Sequence, residues 1–228
     1  MPDPVLLLHG LARTGLSMRP MARALRRHGF RPLVVDYPSR KHGIDALVAD
    51  VVAPRVDALL AAGADRVHFV THSLGGVLVR AFAAGRFDAG RPLPGGSRAV
   101  MLAPPHGGSE VADALRDRRP FPDVLGPALG ELGTGNASVP LGLGPVRGIE
   151  AGVIAGTRAL VPFGRLFNGP HDGLVSVASA TELEGLADSV VVPRTHALLM
   201  MAPGVIDQAV RFLQTGRFEQ GAPAGGAG

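Results

Sequence analysis

Cysteine is absent from this chain of 228 residues, which excludes a disulfide framework and any metal site built on cysteine. No apolar run reaches the length of about 18 residues that a membrane-spanning helix requires, so we expect no integral membrane association. The first ten residues also lack the basic segment and the small-residue cleavage site of a signal peptide. We therefore expect a cytoplasmic protein.

Lysine is almost absent, since Lys41 is the only one and the other basic residues are arginines. The formal net charge is +4 and the sequence pI is about 10.8. The arginines are scattered and are not interleaved with aromatic residues, which argues against a nucleic-acid partner. The basic character leaves open a loose attraction to anionic surfaces or anionic substrates.

Apolar residues make up 46 % of the chain, enough for a sizeable core, and strand-like runs alternate with helix-like runs. The predicted strands cover 4–9, 31–37, 66–71, 98–103, 151–157 and 189–193. Continuous apolar strands that alternate with helices are typical of a parallel sheet covered on both faces. The sequence thus predicts an α/β fold with about six mostly parallel strands.

The predicted helices cover 16–28, 44–62, 74–84 and 203–214. Pro54 should kink or interrupt the second of them. Residues 106–148 are irregular and rich in Gly and Pro, and we interpret them as a short lid-like insertion with one helix over 122–132. We expect a single domain over 1–215 and a disordered tail over 216–228.

Ser73 lies between a β-branched apolar run and a helical segment that two glycines open. Residues 71–75 are Thr-His-Ser-Leu-Gly, which predicts a sharp strand-to-helix turn with the serine hydroxyl exposed at the carboxyl edge of the sheet. The usual pattern is Gly-x-Ser-x-Gly, so Thr71 replaces the first glycine at a position that must be small. The structural alternative is a serine that caps an ordinary helix.

This pentapeptide resembles the nucleophile elbow of the α/β-hydrolases, and the resemblance extends over most of the chain. It implies that Ser73 is the nucleophile, that Asp172 in the segment Asp-Gly-Leu-Val is the acid, and that His196 after the last strand is the base. A serine hydroxyl needs such an imidazole to accept its proton and a carboxylate to orient the imidazole. Weaker candidates for the acid are Glu182, Glu184 and Asp188.

The resemblance also implies an oxyanion hole formed by the backbone N–H groups of Leu74 and Leu11. Leu11 belongs to the segment His9-Gly10-Leu11, which is similar to the family's His-Gly-x signature after the first strand. His9 should brace this loop beside Gly10. Two more histidines are expected near the substrate pocket: His72 as a packed residue and His106 close to the entrance.

The family implied is that of small lipase-like or esterase-like serine hydrolases with a minimal cap. The expected reaction is hydrolysis of a small or lipid-like carboxylic ester through an acyl-enzyme, with no metal and no organic cofactor. The same residues also serve acyltransferases, thioesterases and amidases, and a non-catalytic binding protein is the alternative of another class. The oligomeric state does not follow from the sequence.

Two substitutions of Leu11 distinguish the contribution of its backbone N–H to activity from that of its side chain. Leu11→Ala should leave kcat/KM for an ester within about threefold of wild type, whereas Leu11→Pro should lower it by about 100-fold or more, because proline has no N–H to donate. Steady-state hydrolysis by both variants checks this. A mild effect of Leu11→Pro, with the fold intact by circular dichroism, would contradict the assigned donor.

Overall fold

The computed structural model describes residues 2–160 and 163–221. Six strands form its central sheet: β1 (Pro4–Leu8), β2 (Arg31–Val35), β3 (His68–His72), β4 (Arg98–Leu102), β5 (Glu150–Gly156) and β6 (Asp188–Val192). Their spatial order is β2-β1-β3-β4-β5-β6, and every neighbouring pair is parallel. The predicted six-stranded parallel sheet is confirmed, and only the strand ends differ from the prediction.

Helices cover both faces of this sheet. They are α1 (Arg19–Arg27), α2 (Ile44–Leu47), α3 (Ala53–Ala61), α4 (Leu74–Asp88), α5 (Glu110–Arg116), α6 (Phe121–Leu125), α7 (Pro127–Glu131), α8 (Val139–Gly142), α9 (Val177–Thr181) and α10 (Pro203–Thr215). No helix within the described residues is both long and apolar enough to cross a membrane.

Two apolar cores lie on opposite faces of the sheet because successive strand residues point to opposite sides. In β1, Leu6 and Leu8 belong to the core shared with α2, α3 and α4, whereas Val5 and Leu7 belong to the core shared with α1 and α10. All four are buried. Burial on both faces explains why the strands are apolar without alternation.

The helical segment after β2 is interrupted where the sequence predicts it. A π-helical turn, Val48–Val52, separates α2 from α3, and Pro54 is the second residue of α3. A proline at that place has no N–H to donate to the preceding turn, and the wider π turn accommodates it.

The lid-like insertion contains more helices than the one predicted over 122–132. Gly126, with φ 81°, separates α6 from α7, and a Cβ at this position would lie 1.9 Å from the carbonyl oxygen of Arg40. Only glycine permits this contact, so the segment breaks into two short helices. At the end of α7, the Glu131 carboxylate accepts a 2.6 Å hydrogen bond from the N–H of Ile44 and ties the insertion to α2.

The prediction of a disordered tail from residue 216 is wrong for residues 216–221, and residues 222–228 lie outside the described part of the chain. Gly216, with φ 77°, ends α10, and the ring of Phe218 stacks on Phe212 at 4.7 Å between centroids. The N–H of Phe218 donates to the Asp188 carboxylate at 2.8 Å. Only 4 % of Phe218 is exposed, so this segment completes the core against α10.

Removal of the Phe218 ring should therefore destabilise the fold. We expect Phe218→Ala to lower the free energy of unfolding by about 2–4 kcal/mol. Phe87, which is 50 % exposed, provides the matched control, and Phe87→Ala should cost about 1 kcal/mol or less. Urea denaturation of the two variants measures both values, and equal costs would show that Phe218 does not contribute to the core.

Candidate active site

Ser73 occupies a strained turn between β3 and α4. Its φ of 51° and ψ of −119° are unusual for a residue with a side chain. Two glycines allow the turn to pack: a Cβ on Gly75 would lie 2.9 Å from the carbonyl oxygen of Leu8, and one on Gly76 would lie 2.8 Å from the Cβ of Pro104. The turn holds Ser73 at the carboxyl edge of the sheet, where it is partly exposed while the residues on either side of it are buried.

His196 and Asp172 come from the loops after β6 and β5, and the fold brings them together. The Nδ1 of His196 lies 2.7 Å from an oxygen of the Asp172 carboxylate, and the two side chains are 6 % and 1 % exposed. With Nδ1–H donating to the carboxylate, Nε2 is left free to accept a proton. His196 and Asp172 are the residues predicted as base and acid, and these roles stay predictions.

Backbone groups hold Asp172 in place. One carboxylate oxygen accepts hydrogen bonds from the N–H groups of Leu174 at 3.0 Å and Val175 at 2.8 Å. The N–H of His196 in turn donates to the carbonyl of Asp172 at 3.1 Å. A buried carboxylate requires such partners. The rival candidate Asp188 instead bonds to the C-terminal segment.

A cavity of about 190 Å³ adjoins Ser73 and His196. Gly10, Leu11 and His72 contribute to its wall near the serine. Apolar side chains of the lid-like insertion form much of the remainder, namely Val111, Leu115, Leu125, Leu129 and Leu132. The arrangement can enclose an apolar chain with one end beside the serine.

The loop of Leu11 approaches the serine closely because Gly10 has no side chain. A Cβ on Gly10 would lie 2.8 Å from Nδ1 of His72 and 3.2 Å from the Cβ of Ser73. Leu74 is the first residue of α4, and N–H groups in a first helical turn have no intrahelical acceptor. The assignment of these two amides as oxyanion donors stays a prediction.

His9 lies behind the loop and braces it. Its ring stacks on Tyr37 at 4.1 Å, its Nε2 accepts from the N–H of Tyr37 at 3.3 Å, and the Tyr37 hydroxyl donates to the His9 carbonyl at 2.5 Å. Burial lowers the pKa of His9, so the neutral ring fits these contacts. The contacts support the bracing role expected of this residue.

His72 supports the loop that carries His196. Its Nε2 donates to the carbonyl of His196 at 3.0 Å, and the two rings are 4.6 Å apart. Burial, followed by the charges of His196 and Arg13, lowers the pKa of His72 well below its usual range. His72 is therefore neutral and packed, in agreement with its expected role.

The expectation that His106 lies near the pocket entrance is wrong. The residue is 2 % exposed, and its neighbour Pro105 lines the cavity in its place. Its Nδ1 lies 3.4 Å from the Arg80 guanidinium and its Nε2 lies 3.3 Å from the sulfur of Met101. Burial, together with the charge of Arg80, lowers the pKa of His106 to about 3.

Arg13, which was not predicted from the sequence as a site residue, lines the cavity beside the serine. Arg13 lies two residues after Leu11, so the loop motif itself was the signal that could have identified it. Within residues 2–160 and 163–221, no group of three or more His, Asp or Glu side chains is placed to hold a metal ion.

Comparison with known proteins agrees with this architecture. The alpha/beta hydrolase family matches residues 5–224. Among solved structures, the mature lipase BlEst2 of Bacillus licheniformis aligns with a TM-score of 0.72 at 20 % identity, covering 93 % of this chain and 94 % of that one. No curated protein matches this chain significantly in sequence.

Two further structures share the fold at low identity. Phospholipase PlaB of Legionella pneumophila aligns with a TM-score of 0.68 at 18 % identity, covering 94 % of this chain and 60 % of that one. The metagenomic carboxyl esterase MGS0156 aligns with a TM-score of 0.63 at 23 % identity, covering 86 % of this chain and 65 % of that one. These similarities confirm the predicted fold class.

The low pKa of His106 has a consequence for stability. In the unfolded chain a histidine titrates near pH 6.5. Below that pH the unfolded chain binds a proton that buried His106 does not bind, so protonation favours unfolding. The free energy of unfolding therefore falls by about 1.4 kcal/mol per pH unit between about pH 6.5 and the folded-state pKa of about 3.

We expect His106→Gln to make the loss of unfolding free energy between about pH 6.5 and 4.5 shallower by about 2 kcal/mol. Glutamine does not titrate and can still accept a hydrogen bond from Arg80. Urea denaturation across this pH range measures the slope, with the exposed His42→Gln as control. Parallel slopes for wild type and His106→Gln would contradict the neutral, buried state of His106.

Proposed function

Because the chain belongs to the alpha/beta hydrolase family, we propose that it is a serine hydrolase that cleaves carboxylic esters. Ser73 is the nucleophile, His196 the general base and Asp172 the acid that orients the histidine. One observation carries this proposal: the strained turn presents Ser73 to the same cavity as His196, whose Nδ1 lies 2.7 Å from the buried Asp172 carboxylate.

In the first step, the Ser73 hydroxyl attacks the ester carbonyl while Nε2 of His196 accepts the hydroxyl proton. Asp172 accepts the hydrogen bond from Nδ1–H, which fixes the tautomer in which Nε2 is the base, and stabilises the imidazolium that forms. The N–H groups of Leu11 and Leu74 donate to the oxyanion. His196 then protonates the departing alcohol, and the acyl group remains on Ser73.

In the second step, His196 removes a proton from a water molecule, which attacks the acyl-enzyme. The same two amides stabilise the second oxyanion, and collapse returns the proton to Ser73 and releases the acid. The dipole of α4 also favours negative charge near Leu74. These steps use only protein groups and water.

The cavity favours esters with an apolar chain. Leucine and valine side chains form most of its wall from the lid-like insertion, and they stabilise a chain by removing it from water. A lipase and a carboxyl esterase are among the proteins that share this fold, which supports the same class of substrate. A small-molecule ester or lipid-like acyl substrate fits best.

Substitution of the three residues tests the mechanism. We expect Ser73→Ala and His196→Ala to lower kcat/KM for p-nitrophenyl esters by about 1,000-fold or more, and Asp172→Asn by a smaller but still large factor of about 100-fold or more. Hydrolysis is measured over increasing acyl length, with Ser189→Ala on β6 as the matched serine control.

Wild-type turnover by folded Ser73→Ala would overturn the proposed mechanism. If no ester is cleaved but a serine-directed phosphonate labels Ser73, amidase or acyltransferase chemistry becomes the better proposal. Absence of both cleavage and labelling would favour a non-catalytic binding role on the same fold.

A further inference from the structure

A second cavity adjoins the proposed ester site and differs from it in character. It has a volume of about 340 Å³ and lies between the loop that follows β1 and the loop that follows β2. Arg13 lines both cavities. Because β1 and β2 are adjacent and parallel, their carboxyl-end loops meet beside the serine turn.

Hydrogen bonds between the two loops fix the shape of this cavity. The N–H of Ala12 donates to the hydroxyl of Ser39 at 3.1 Å, and the N–H of Gly15 donates to the Asp36 carboxylate at 2.8 Å. The Tyr37 hydroxyl donates to the His9 carbonyl at 2.5 Å. The cavity is therefore formed without a ligand, which reduces the entropic cost of binding one.

The charges that line this cavity are unbalanced. Arg13, Arg40 and Lys41 are cationic, and Asp36 is the one carboxylate among the lining residues. Within the described chain, none of the three cationic side chains makes an ion pair or a hydrogen bond. Asp36 already accepts from the N–H of Gly15. Three cationic side chains against one carboxylate give the cavity a net positive charge.

Arg13 is the cationic residue of the second cavity that also lies beside the proposed catalytic residues. It lines the apolar cavity together with Ser73 and His196, and its charge contributes, after burial and His196, to the lowered pKa of His72. Arg13 is also partly exposed, so its guanidinium remains accessible to a ligand. It therefore lies at the boundary between the apolar cavity and the cationic one.

We propose that the second cavity is an anion subsite of the ester site, and that the preferred substrates carry a carboxylate or phosphate group on the side of the ester away from the apolar chain. This inference rests on the proposed ester hydrolysis. Arg13 contacts the anionic oxygens as a planar, multiply donating cation. Arg40 and Lys41 add positive charge at the solvent side.

Three hexanoate esters that differ in one para substituent test the subsite: 4-carbamoylphenyl hexanoate, 4-carboxyphenyl hexanoate and 4-phosphonophenyl hexanoate. The readout is the ratio of kcat/KM for each anionic ester to that for the neutral one. Use of a ratio cancels any general loss of activity in a variant. The two anionic esters distinguish a carboxylate from a phosphate-type ligand.

We expect wild type to favour an anionic ester, chiefly through a lower KM. Arg13→Gln and the double variant Arg40→Gln/Lys41→Gln should each reduce this preference by about fivefold to tenfold. Added salt should reduce the wild-type preference as well. Arg26→Gln/Arg27→Gln, at the exposed end of α1, is the control and should leave the ratio unchanged.

Binding of the uncleaved esters to Ser73→Ala, measured by calorimetry, separates this proposal from the proposed function. Tighter binding of an anionic ester that is lost in the Arg13→Gln background supports the subsite even if wild type hydrolyses none of the esters. Hydrolysis of the neutral ester with no anionic preference, in turnover or in binding, overturns the subsite and leaves the hydrolase proposal intact.

Discussion

The backbone of Ser73 is the constraint on which the remainder of the site depends. A φ of 51° turns the chain from strand to helix within one residue, and the following helix, α4, packs directly on β3 and β4. Gly75 allows this close packing, since a Cβ there would lie 2.9 Å from the Leu8 carbonyl. Gly10 allows the loop after β1 to approach the serine in a similar way, since a Cβ there would lie 3.2 Å from the Cβ of Ser73.

Burial also determines which polar side chains near the site carry a charge. Asp172 is almost fully buried, and its charge is compensated by His196 and by two backbone N–H groups. His72 and His106 are buried without a carboxylate, and desolvation keeps both neutral. Neither of these histidines therefore brings positive charge to the site, and Arg13 is the arginine that lines the cavity beside the serine.

The two cavities differ in the polarity of their lining side chains. The lid-like insertion lines the cavity beside Ser73 with apolar side chains, whereas the loops after β1 and β2 line the second cavity with cations. Gly126 joins these two regions, since its missing side chain lets the insertion contact the backbone of Arg40. An ester bound across Ser73 would meet both environments, and the chemistry of its two sides would decide its recognition.

Local pattern by itself determined the six strands, the main helices and the serine turn, because hydrophobic periodicity and a glycine-flanked serine act over a few neighbouring residues. The roles predicted for Asp172 and His196 came from the resemblance to the α/β-hydrolases, in which the acid and the histidine follow the serine in that order along the chain. Tertiary structure alone decided that these two residues, 24 positions apart, meet at 2.7 Å. It also decided that His106 is buried against Arg80, that Phe218 packs on Phe212, and that Arg13, Arg40 and Lys41 line one cavity. Each of these depends on contacts between distant segments, whose energies are absent from any local stretch of sequence.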